Sequence, residues 1–198
     1  MVIGMDATMD RRAAVNTLLA ARDGALVVTG LGSPSYDVHA AGDVDGNYYL
    51  WGAMGGAALT GLGLAQAQPD KRVMVITGDG EMLMAFGALA TIAVAAPRNL
   101  DIIVLDNQHF GETGMQTSHT GRGIALHKIA EATGFAETAE LRSLAEVEGL
   151  AARLRQPAAG PRFFVLKIKA ENLPRSLPPR DAVFIKNRFR AHLGLETC

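Results

Sequence analysis

Cysteine is nearly absent from this sequence, and this absence removes several kinds of site. The 198 residues contain one cysteine, Cys198, at the last position. Disulfide frameworks need pairs of cysteines, and structural zinc and iron–sulfur centres are usually held by several of them. The sequence therefore excludes such sites within the chain, and any electrons passed to an iron–sulfur cluster would need another subunit to carry them.

An excess of charge and a long apolar run are also missing. The chain has 19 Lys and Arg residues against 20 Asp and Glu residues, which gives a formal net charge of -1. This balance does not favour binding to nucleic acid or to a membrane surface. No apolar run approaches the roughly 18 residues of a membrane-spanning helix, and the N-terminal region lacks the apolar core of a secretory signal. We therefore expect a cytoplasmic protein without nucleic-acid or membrane partners.

Length and composition fit one domain with a sizeable core, because 48% of the residues are hydrophobic and 20% are charged. We expect this domain to span residues 1–198. Within it, residues 170–198 form a proline-rich connector, at 173–180, and a basic amphipathic segment, at 183–193. The basic segment suits a solvated helix face as well as a contact with a partner or a substrate anion.

Apolar, β-branched runs alternate with helical patterns along the chain. Strands are predicted at 25–29, 72–77, 101–106 and 162–169, and helices at 11–22, 57–68, 125–133 and 143–156, with one more helix after Gly80. Alternation of strands with helices is typical of a parallel sheet that is covered on both faces. The sequence therefore predicts an α/β fold, a three-layer α/β/α domain with a mainly parallel sheet.

Residues suited to anions and divalent cations come directly after the second predicted strand, where Gly78, Asp79 and Gly80 stand in succession. Glycine allows a tight turn and a close approach of backbone N–H groups to a ligand, and aspartate offers an oxygen ligand for Mg²⁺. The predicted helix after them would direct its positive end to the same point, which favours phosphate. Because Gly-Asp-Gly is also ordinary turn chemistry, a ligand site needs support from other residues of the chain.

The next strand delivers a second oxygen ligand to the same edge of the sheet. This strand ends at Asp106, 25 residues (81–105) after Gly80, and Asn107 comes directly after it. Open α/β sheets bind ligands at the carboxyl ends of their strands. Mg²⁺ is often held by one or two protein groups together with the phosphates of a ligand. The spacing therefore predicts a site for a metal and a diphosphate.

This arrangement resembles the motif of thiamine diphosphate-dependent enzymes, in which GDG is followed after some two dozen residues by Asn-Asn. Asp106 departs from the first asparagine of that motif. The resemblance implies thiamine diphosphate as cofactor and a Mg²⁺ ion held by Asp79, Asn107 and the main-chain carbonyl of His109. It also implies cofactor contacts by the neighbouring motif residues Gly78, Gly80, Glu81, Phe110 and Gly111.

A glycine-containing loop after the first strand suits phosphate as well, because its glycine and serine residues offer hydrogen-bond donors. It lacks the third glycine of the dinucleotide fingerprint, so a Rossmann site is disfavoured. The resemblance implies that Gly32, Ser33 and Ser35 help to hold the diphosphate.

The segment at 52–55 is unusually rich in glycine, and it resembles the platform under the aminopyrimidine ring of the cofactor. In this family a glycine carbonyl accepts from the exocyclic amine and a bulky apolar residue props the bent cofactor. These roles fall to Gly52 and Met54. The alternative for Met54 is ordinary packing in the core, as for most methionines.

The stretch at 108–120 is polar and predicts an irregular loop, of the kind that often covers an active site. Glu112 and His119 are candidate substrate contacts in it. A metal site formed by His109 and His119 is not diagnostic at this spacing. Ser118 lacks the Gly-x-Ser-x-Gly elbow of a nucleophile.

Within the thiamine family, the sequence resembles the sulfopyruvate and phosphonopyruvate type of decarboxylase, through residues 49–55, 78–81, 99–107, 112–114 and 184–190. This implies non-oxidative decarboxylation of a small anionic 2-oxoacid to the aldehyde. The stretch at 115–120 departs from the Gly-Gly-Gln-Pro-Thr associated with these decarboxylases. Alternatives are carboligation of the acetolactate synthase kind, oxidation of an aldehyde with an external acceptor, and a non-catalytic cofactor-binding subunit.

The resemblance also implies that part of the enzyme lies outside this chain. Thiamine enzymes of this type use a second domain, whose glutamate protonates the pyrimidine ring of the cofactor. Residues 1–24 and 170–198 are each too short for a domain of roughly 100 residues. No residue here is assigned to ring activation, and we expect a separate pyrimidine-binding, alpha-type subunit in a hetero-oligomer.

Overall fold

The computed structural model describes residues 8–197, so residues 1–7 and Cys198 of the expected domain lie outside the described part. The helices are α1 (Arg11–Ala20), α2 (Ser33–Ala40), α3 (Ala57–Ala67), α4 (Asp79–Met84), α5 (Ala88–Ala95), α6 (Leu126–Thr133), α7 (Leu144–Leu154) and α8 (Ala182–His192). The strands are β1 (Leu26–Thr29), β2 (Asn47–Tyr49), β3 (Val73–Gly78), β4 (Leu100–Asp106), β5 (His109–Phe110), β6 (Gln116–Thr117), β7 (Glu137–Leu141) and β8 (Arg162–Lys167).

Six strands form one parallel sheet in the order β2-β1-β3-β4-β8-β7. Alternate residues of each central strand enter opposite cores. Val73 and Val75 pack with α3, α4, α5 and α6, whereas Met74 and Ile76 pack with α1, α2 and α7. Burial of both faces explains the continuous apolar runs of these strands. The predicted three-layer α/β/α fold is confirmed.

Two local predictions were wrong, and the strands β2 and β7 were not predicted. The helix expected after Gly80 is two helices, because the chain leaves helical geometry at Ala85 and resumes at Ala88. Strand β7 was not predicted, because it is a half-exposed edge strand with the polar sequence ETAEL and no apolar run. The stretch expected to be an irregular loop contains the β5–β6 hairpin and two 3₁₀ turns, at Gly111–Thr113 and Thr120–Arg122.

The C-terminal region packs on the rest of the described chain. Residues 170–181 have no regular structure, and they are held by side chains of the N-terminal half, including Trp51, whose Nε1 donates to the carbonyl of Pro179 at 2.7 Å. In α8, Ile185 and Phe189 are buried, and Arg188 forms an ion pair with Asp43 at 2.6 Å. The predicted basic segment is therefore an amphipathic helix docked beside β2. Within the described residues, no helix has both the length and the apolar character to cross a membrane.

Close packing between α3 and β3 explains one of the glycines that weaken α3. A Cβ atom on Gly61 would lie 2.2 Å from Cγ2 of Val75, so a side chain there would force the helix away from the sheet. Gly63, in the same helix, would place its Cβ in open space. Of these two glycines, the packing requires Gly61 alone.

We expect Gly61→Ala to lower the free energy of unfolding by about 1–3 kcal/mol, as overpacking of a core does. The matched change Gly63→Ala should raise it by up to about 1 kcal/mol, because alanine is the better helix former and meets no atom there. Urea denaturation of both variants measures the difference. Equal effects of the two substitutions would contradict a close approach of α3 to β3 at Gly61.

Candidate active site

The carboxyl ends of β1, β3 and β4 meet at one edge of the sheet and form a cavity of about 150 Å³. The loops after these three strands supply most of its walls, and the β5–β6 hairpin, Met54, Arg11 and Ile168 supply the rest. Eleven of the predicted site residues line it: Ser33, Met54, Gly78, Asp79, Gly80, Glu81, Asn107, His109, Phe110, Gly111 and Glu112. Gly32, Ser35, Gly52 and His119 lie outside this lining.

Asp79 is the first residue of α4 and is buried, with 2% of its surface exposed. Its Oδ2 accepts a hydrogen bond from the hydroxyl group of Ser118 at 2.5 Å, and the hydroxyl oxygen of Thr120 lies 3.1 Å from it. Burial, and the negative charge of nearby Asp106, raise the pKa of Asp79 to about 6. This carboxylate is therefore poorly compensated by the surrounding protein, which is the condition in which it gains most from a bound cation.

Asp106 occupies the position at which the sequence departs from the family motif, and Lys167 accompanies it. The two residues are paired in the register of β4 and β8, and Nζ of Lys167 lies 2.5 Å from Oδ2 of Asp106. Both side chains are buried. The other carboxylate oxygen accepts from Thr120 Oγ1 at 2.8 Å and from the backbone N–H of Gln108 at 2.9 Å. Both carboxylate oxygens of Asp106 therefore have partners within the protein, and this residue has a structural role.

Asn107 comes directly after β4 at the cavity wall. Its Oδ1 accepts from the backbone N–H of His109 at 2.9 Å, and Nδ1 of His109 lies 2.8 Å from the Asn107 carbonyl oxygen. Between them Gln108 adopts a φ of 63°, which is rare for a residue other than glycine. This strained turn keeps the Asn107 amide at the end of the strand, and the second lone pair of Oδ1 remains available.

The β5–β6 hairpin covers one side of the cavity, and the GDG motif allows its close approach. A Cβ atom on Gly80 would lie 2.8 Å from the ring of Phe110. The second glycine of the motif is therefore required by packing against the hairpin. The rings of Phe110 and His119 pack edge to face, with their centroids 6.5 Å apart. His119 thus contacts the hairpin, outside the cavity lining.

The carboxylate of Glu81 ties three segments together beneath the cavity. It accepts from the backbone N–H groups of Leu31, at 3.1 Å, and Gly55, at 3.2 Å, and from the Thr77 hydroxyl at 2.9 Å. Burial raises the pKa of Glu81. A Cβ atom on Gly30 would overlap this carboxylate, at 1.5 Å from Oε2, so that loop also needs glycine. Glu81 thereby holds the loop after β1, the segment before α3 and the end of β3 in fixed relation.

The loop after β1 presents one of its two predicted serines to the cavity. Ser33 begins α2 and lines the cavity. Ser35 is fully buried, and its hydroxyl bonds the carbonyl oxygen of Gly30 and the Thr29 hydroxyl, both at 2.6 Å. Gly32 precedes α2 with a φ of 76°, which favours glycine. Ser35 and Gly32 therefore shape this loop.

Met54 lines the cavity while 40% of its surface is exposed. It is therefore not an ordinary core residue, and it forms part of the cavity wall. Gly52, two residues earlier, has a φ of 71°, and a Cβ there would meet no atom. The conformation of the backbone, rather than crowding, thus accounts for glycine at this position.

Several residues of the site carried no recognisable signal in the sequence. Ser118 and Thr120 bond Asp79, Lys167 pairs with Asp106, and Arg11 lines the cavity from α1. Each of these residues is distant in sequence from the motif residues of the cavity, and only folding brings them close to those residues. Glu112 lines the cavity at its rim and pairs with Arg175 at 2.9 Å.

The donor set fits a divalent metal bound partly by a ligand. Among residues 8–197 no group of three or more His, Cys, Asp or Glu side chains is placed to hold a metal ion. Asp79 and Asn107 instead offer one carboxylate and one amide oxygen on the wall of the same cavity. Mg²⁺ sites completed by substrate phosphates use few protein ligands of this kind.

Comparisons with known proteins agree with this geometry. Residues 36–168 match the family model described as thiamine pyrophosphate enzyme, C-terminal TPP binding domain. Sulfopyruvate decarboxylase subunit beta of Methanocaldococcus jannaschii is 41% identical over 123 residues, which are 62% of this chain and 64% of that protein. Sulfopyruvate decarboxylase of Methanosarcina acetivorans is 42% identical over 68% of this chain and 35% of that protein.

Phosphonopyruvate decarboxylase of Streptomyces viridochromogenes is 37% identical over 185 residues, which are 91% of this chain and 45% of that protein. The chain spans less than two thirds of the length of each of these three relatives. Among solved structures, a thiamine diphosphate-dependent 4-hydroxybenzoylformate decarboxylase of Rhodococcus jostii superposes with a TM-score of 0.68. It is 19% identical, and the match covers 86% of this chain and 34% of that one, so it supports the fold alone.

The family match covers more than half of the chain, and it includes the strands β3 and β4 whose ends build the cavity. The predicted resemblance is thus confirmed, and the chain belongs to the family of C-terminal TPP-binding domains of thiamine pyrophosphate enzymes.

Proposed function

We propose that this chain is the diphosphate-binding subunit of a cytoplasmic, Mg²⁺- and thiamine diphosphate-dependent decarboxylase. Its substrate is a small anionic 2-oxoacid of the sulfopyruvate or phosphonopyruvate type, and its product is the aldehyde. The observation that carries this proposal is the placement of Asp79, Asn107 and the loop after β1 around one cavity. The names of the sulfopyruvate and phosphonopyruvate decarboxylase relatives support the substrate class.

In this proposal Asp79, Asn107 and the carbonyl of His109 hold the metal, and Ser33 and the glycines of the motif hold the diphosphate. The cofactor supplies the electron sink for decarboxylation, while the protein binds and orients it. Met54 supports the cofactor from the cavity wall. Glu81 keeps the three binding segments in register through its hydrogen bonds.

The substrate would approach beside the β5–β6 hairpin, where Glu112 lines the rim of the cavity and His119 packs on Phe110. These two residues remain our candidates for substrate contact. Carboligation and aldehyde oxidation would use the same cofactor site, so substrate panels distinguish them from decarboxylation.

The proposal includes a partner, because three relatives of similar sequence are named as a beta subunit. In the sulfopyruvate decarboxylase of M. acetivorans, the matched region is 35% of the protein. We infer that the pyrimidine-binding half is supplied by a separate alpha-type subunit, and that the active site forms between the two chains.

We expect Asp79→Asn to weaken Mg²⁺-dependent binding of thiamine diphosphate by at least about 100-fold, or roughly 3 kcal/mol, because it removes the charged metal ligand. Isothermal titration calorimetry of the chain, with its partner where one is required, measures this. Asp70→Asn, at an exposed carboxylate on the opposite edge, is the control and should bind normally. Wild-type affinity of Asp79→Asn would refute the ligand assignment.

The ionisation of Asp79 gives a second prediction. Since burial and Asp106 favour its protonated form and raise its pKa to about 6, protons should compete with the metal below that pH. Affinity for Mg²⁺ should then fall about tenfold per pH unit below 6. Asp106→Asn removes the neighbouring negative charge and should lower the pKa of Asp79.

Carboxyl NMR titration of the metal-free chain follows Asp79 directly, without a contribution from ligand phosphates. The Asp106→Asn variant should show the Asp79 signal titrating at lower pH than wild type. An unchanged midpoint would show that the two carboxylates do not interact.

The partner requirement is tested by activity. The purified chain, given Mg²⁺ and thiamine diphosphate, should decarboxylate no member of a 2-oxoacid panel, and addition of an alpha-type subunit should restore turnover. The physical reason is that none of its residues is assigned to activate the pyrimidine ring. Robust turnover by a preparation that mass spectrometry shows to contain this polypeptide alone would disprove the split arrangement.

A further inference from the structure

Arg11 is a buried cation whose position the catalytic motif does not explain. It begins α1, and 3% of its surface is exposed. Its Nε lies 2.7 Å from Oδ2 of Asp37, and its Nη1 donates to the carbonyl of Glu171 at 2.8 Å. Although it forms this ion pair, Nε has no hydrogen-bond partner within residues 8–197. Arg11 also lines the cavity together with Ser33, so this incompletely hydrogen-bonded cation lies beside the cavity.

Within the cluster of Arg11, Arg12 and Asp37, positive charge exceeds negative charge. Asp37 forms an ion pair with a second arginine as well, because Nε of Arg12 lies 3.1 Å from its other carboxylate oxygen. One carboxylate therefore serves two guanidinium groups, which leaves one positive charge in excess. Since Arg12 has 28% of its side chain exposed and Arg11 has 3%, the excess charge costs most at Arg11.

The position of this excess charge suits a phosphate. Asp37 lies on α2, one turn after Ser33, so its ion pair holds Arg11 alongside the start of that helix. Among the described residues that line the cavity, Arg11 alone carries a permanent positive charge. A diphosphate that binds one Mg²⁺ keeps negative charge, and a guanidinium matches the geometry of phosphate oxygens.

A second cavity, of about 200 Å³, continues from the first on this side. Arg11, Ser33 and Glu112 line both, and Arg175 lines the outer one, where it pairs with Glu112. The exposed Arg175 is thus neutralised within the chain, whereas the guanidinium of the buried Arg11 is incompletely hydrogen-bonded. This difference makes Arg11, rather than Arg175, the residue suited to bind an anion.

We propose that Arg11 binds the terminal phosphate of the cofactor through its guanidinium group. This role rests on the proposed function, and it adds to the site a cation delivered from α1, outside the segments of the motif. Arg11 would be a binding residue, since the reacting end of the cofactor lies elsewhere.

The test compares three variants by calorimetry with magnesium pyrophosphate, thiamine diphosphate and unphosphorylated thiamine as probes. Arg11→Gln should weaken binding of both phosphorylated probes by about 10- to 100-fold, as expected for loss of a charge-assisted hydrogen bond. Arg12→Gln is the matched control, because it also removes a partner of Asp37 but lies outside the cavity lining. It should bind like wild type.

Arg11→Lys guards against a folding defect, since it keeps a positive charge beside Asp37 and loses the planar fork. It should fold, as judged by circular dichroism, and should bind the phosphorylated probes about tenfold less tightly than wild type. Binding of unphosphorylated thiamine should not change in any variant.

The outcomes separate this proposal from the proposed function. If wild type binds thiamine diphosphate and folded Arg11→Gln and Arg11→Lys bind it equally well, the role of Arg11 is refuted and the function stands. If wild type binds pyrophosphate in an Arg11-dependent manner but no thiamine diphosphate with or without a partner, the anion site exists and the cofactor assignment fails. Pyrophosphate that binds together with thiamine diphosphate, rather than in competition, would place Arg11 away from the cofactor and overturn the proposal.

Discussion

Two buried carboxylates at neighbouring strand ends are the constraint on which this site depends. Oγ1 of Thr120 lies 3.1 Å from Asp79 and 2.8 Å from Asp106, yet one hydroxyl proton can be donated to only one of them. Lys167 forms an ion pair with Asp106, and no cation is paired with Asp79 among the described residues. The folded chain therefore keeps Asp79 in a buried position, where its negative charge is unfavourable. A divalent cation bound there would stabilise the fold, since a ligand that binds only the native state favours that state.

Asp106 shows how a departure from a family motif is compensated by a residue elsewhere. The first asparagine of the motif is replaced by a carboxylate, and Lys167 lies beside it because β8 is the parallel neighbour of β4. A buried carboxylate would be costly without this partner, and a buried lysine likewise. The two residues are 61 positions apart, so their relation depends on the order of strands in the sheet. Asp106 and Lys167 are therefore one structural unit, in which each buried charge depends on the other.

Sequence reasoning succeeded where a physical signal was local. The central strands were predictable because burial on both faces requires apolar runs, and Gly78, Asp79 and Asn107 were found because strand ends place them at one edge. It failed for β7, whose exposed face keeps polar residues, and for the break between α4 and α5. The partners of the carboxylates were missed for another reason. Ser118, Thr120 and Lys167 are common polar residues, and only tertiary contacts give them a function.

Glu81 joins two of the segments that build the cavity. Its carboxylate joins the loop after β1 to the segment that bears Met54, through backbone N–H groups of Leu31 and Gly55. Under the proposed function these two loops contact opposite ends of the cofactor, the diphosphate and the aminopyrimidine ring. A single buried side chain then fixes the distance between the two ends of the binding site. A carboxylate, which has several acceptor sites, suits this task.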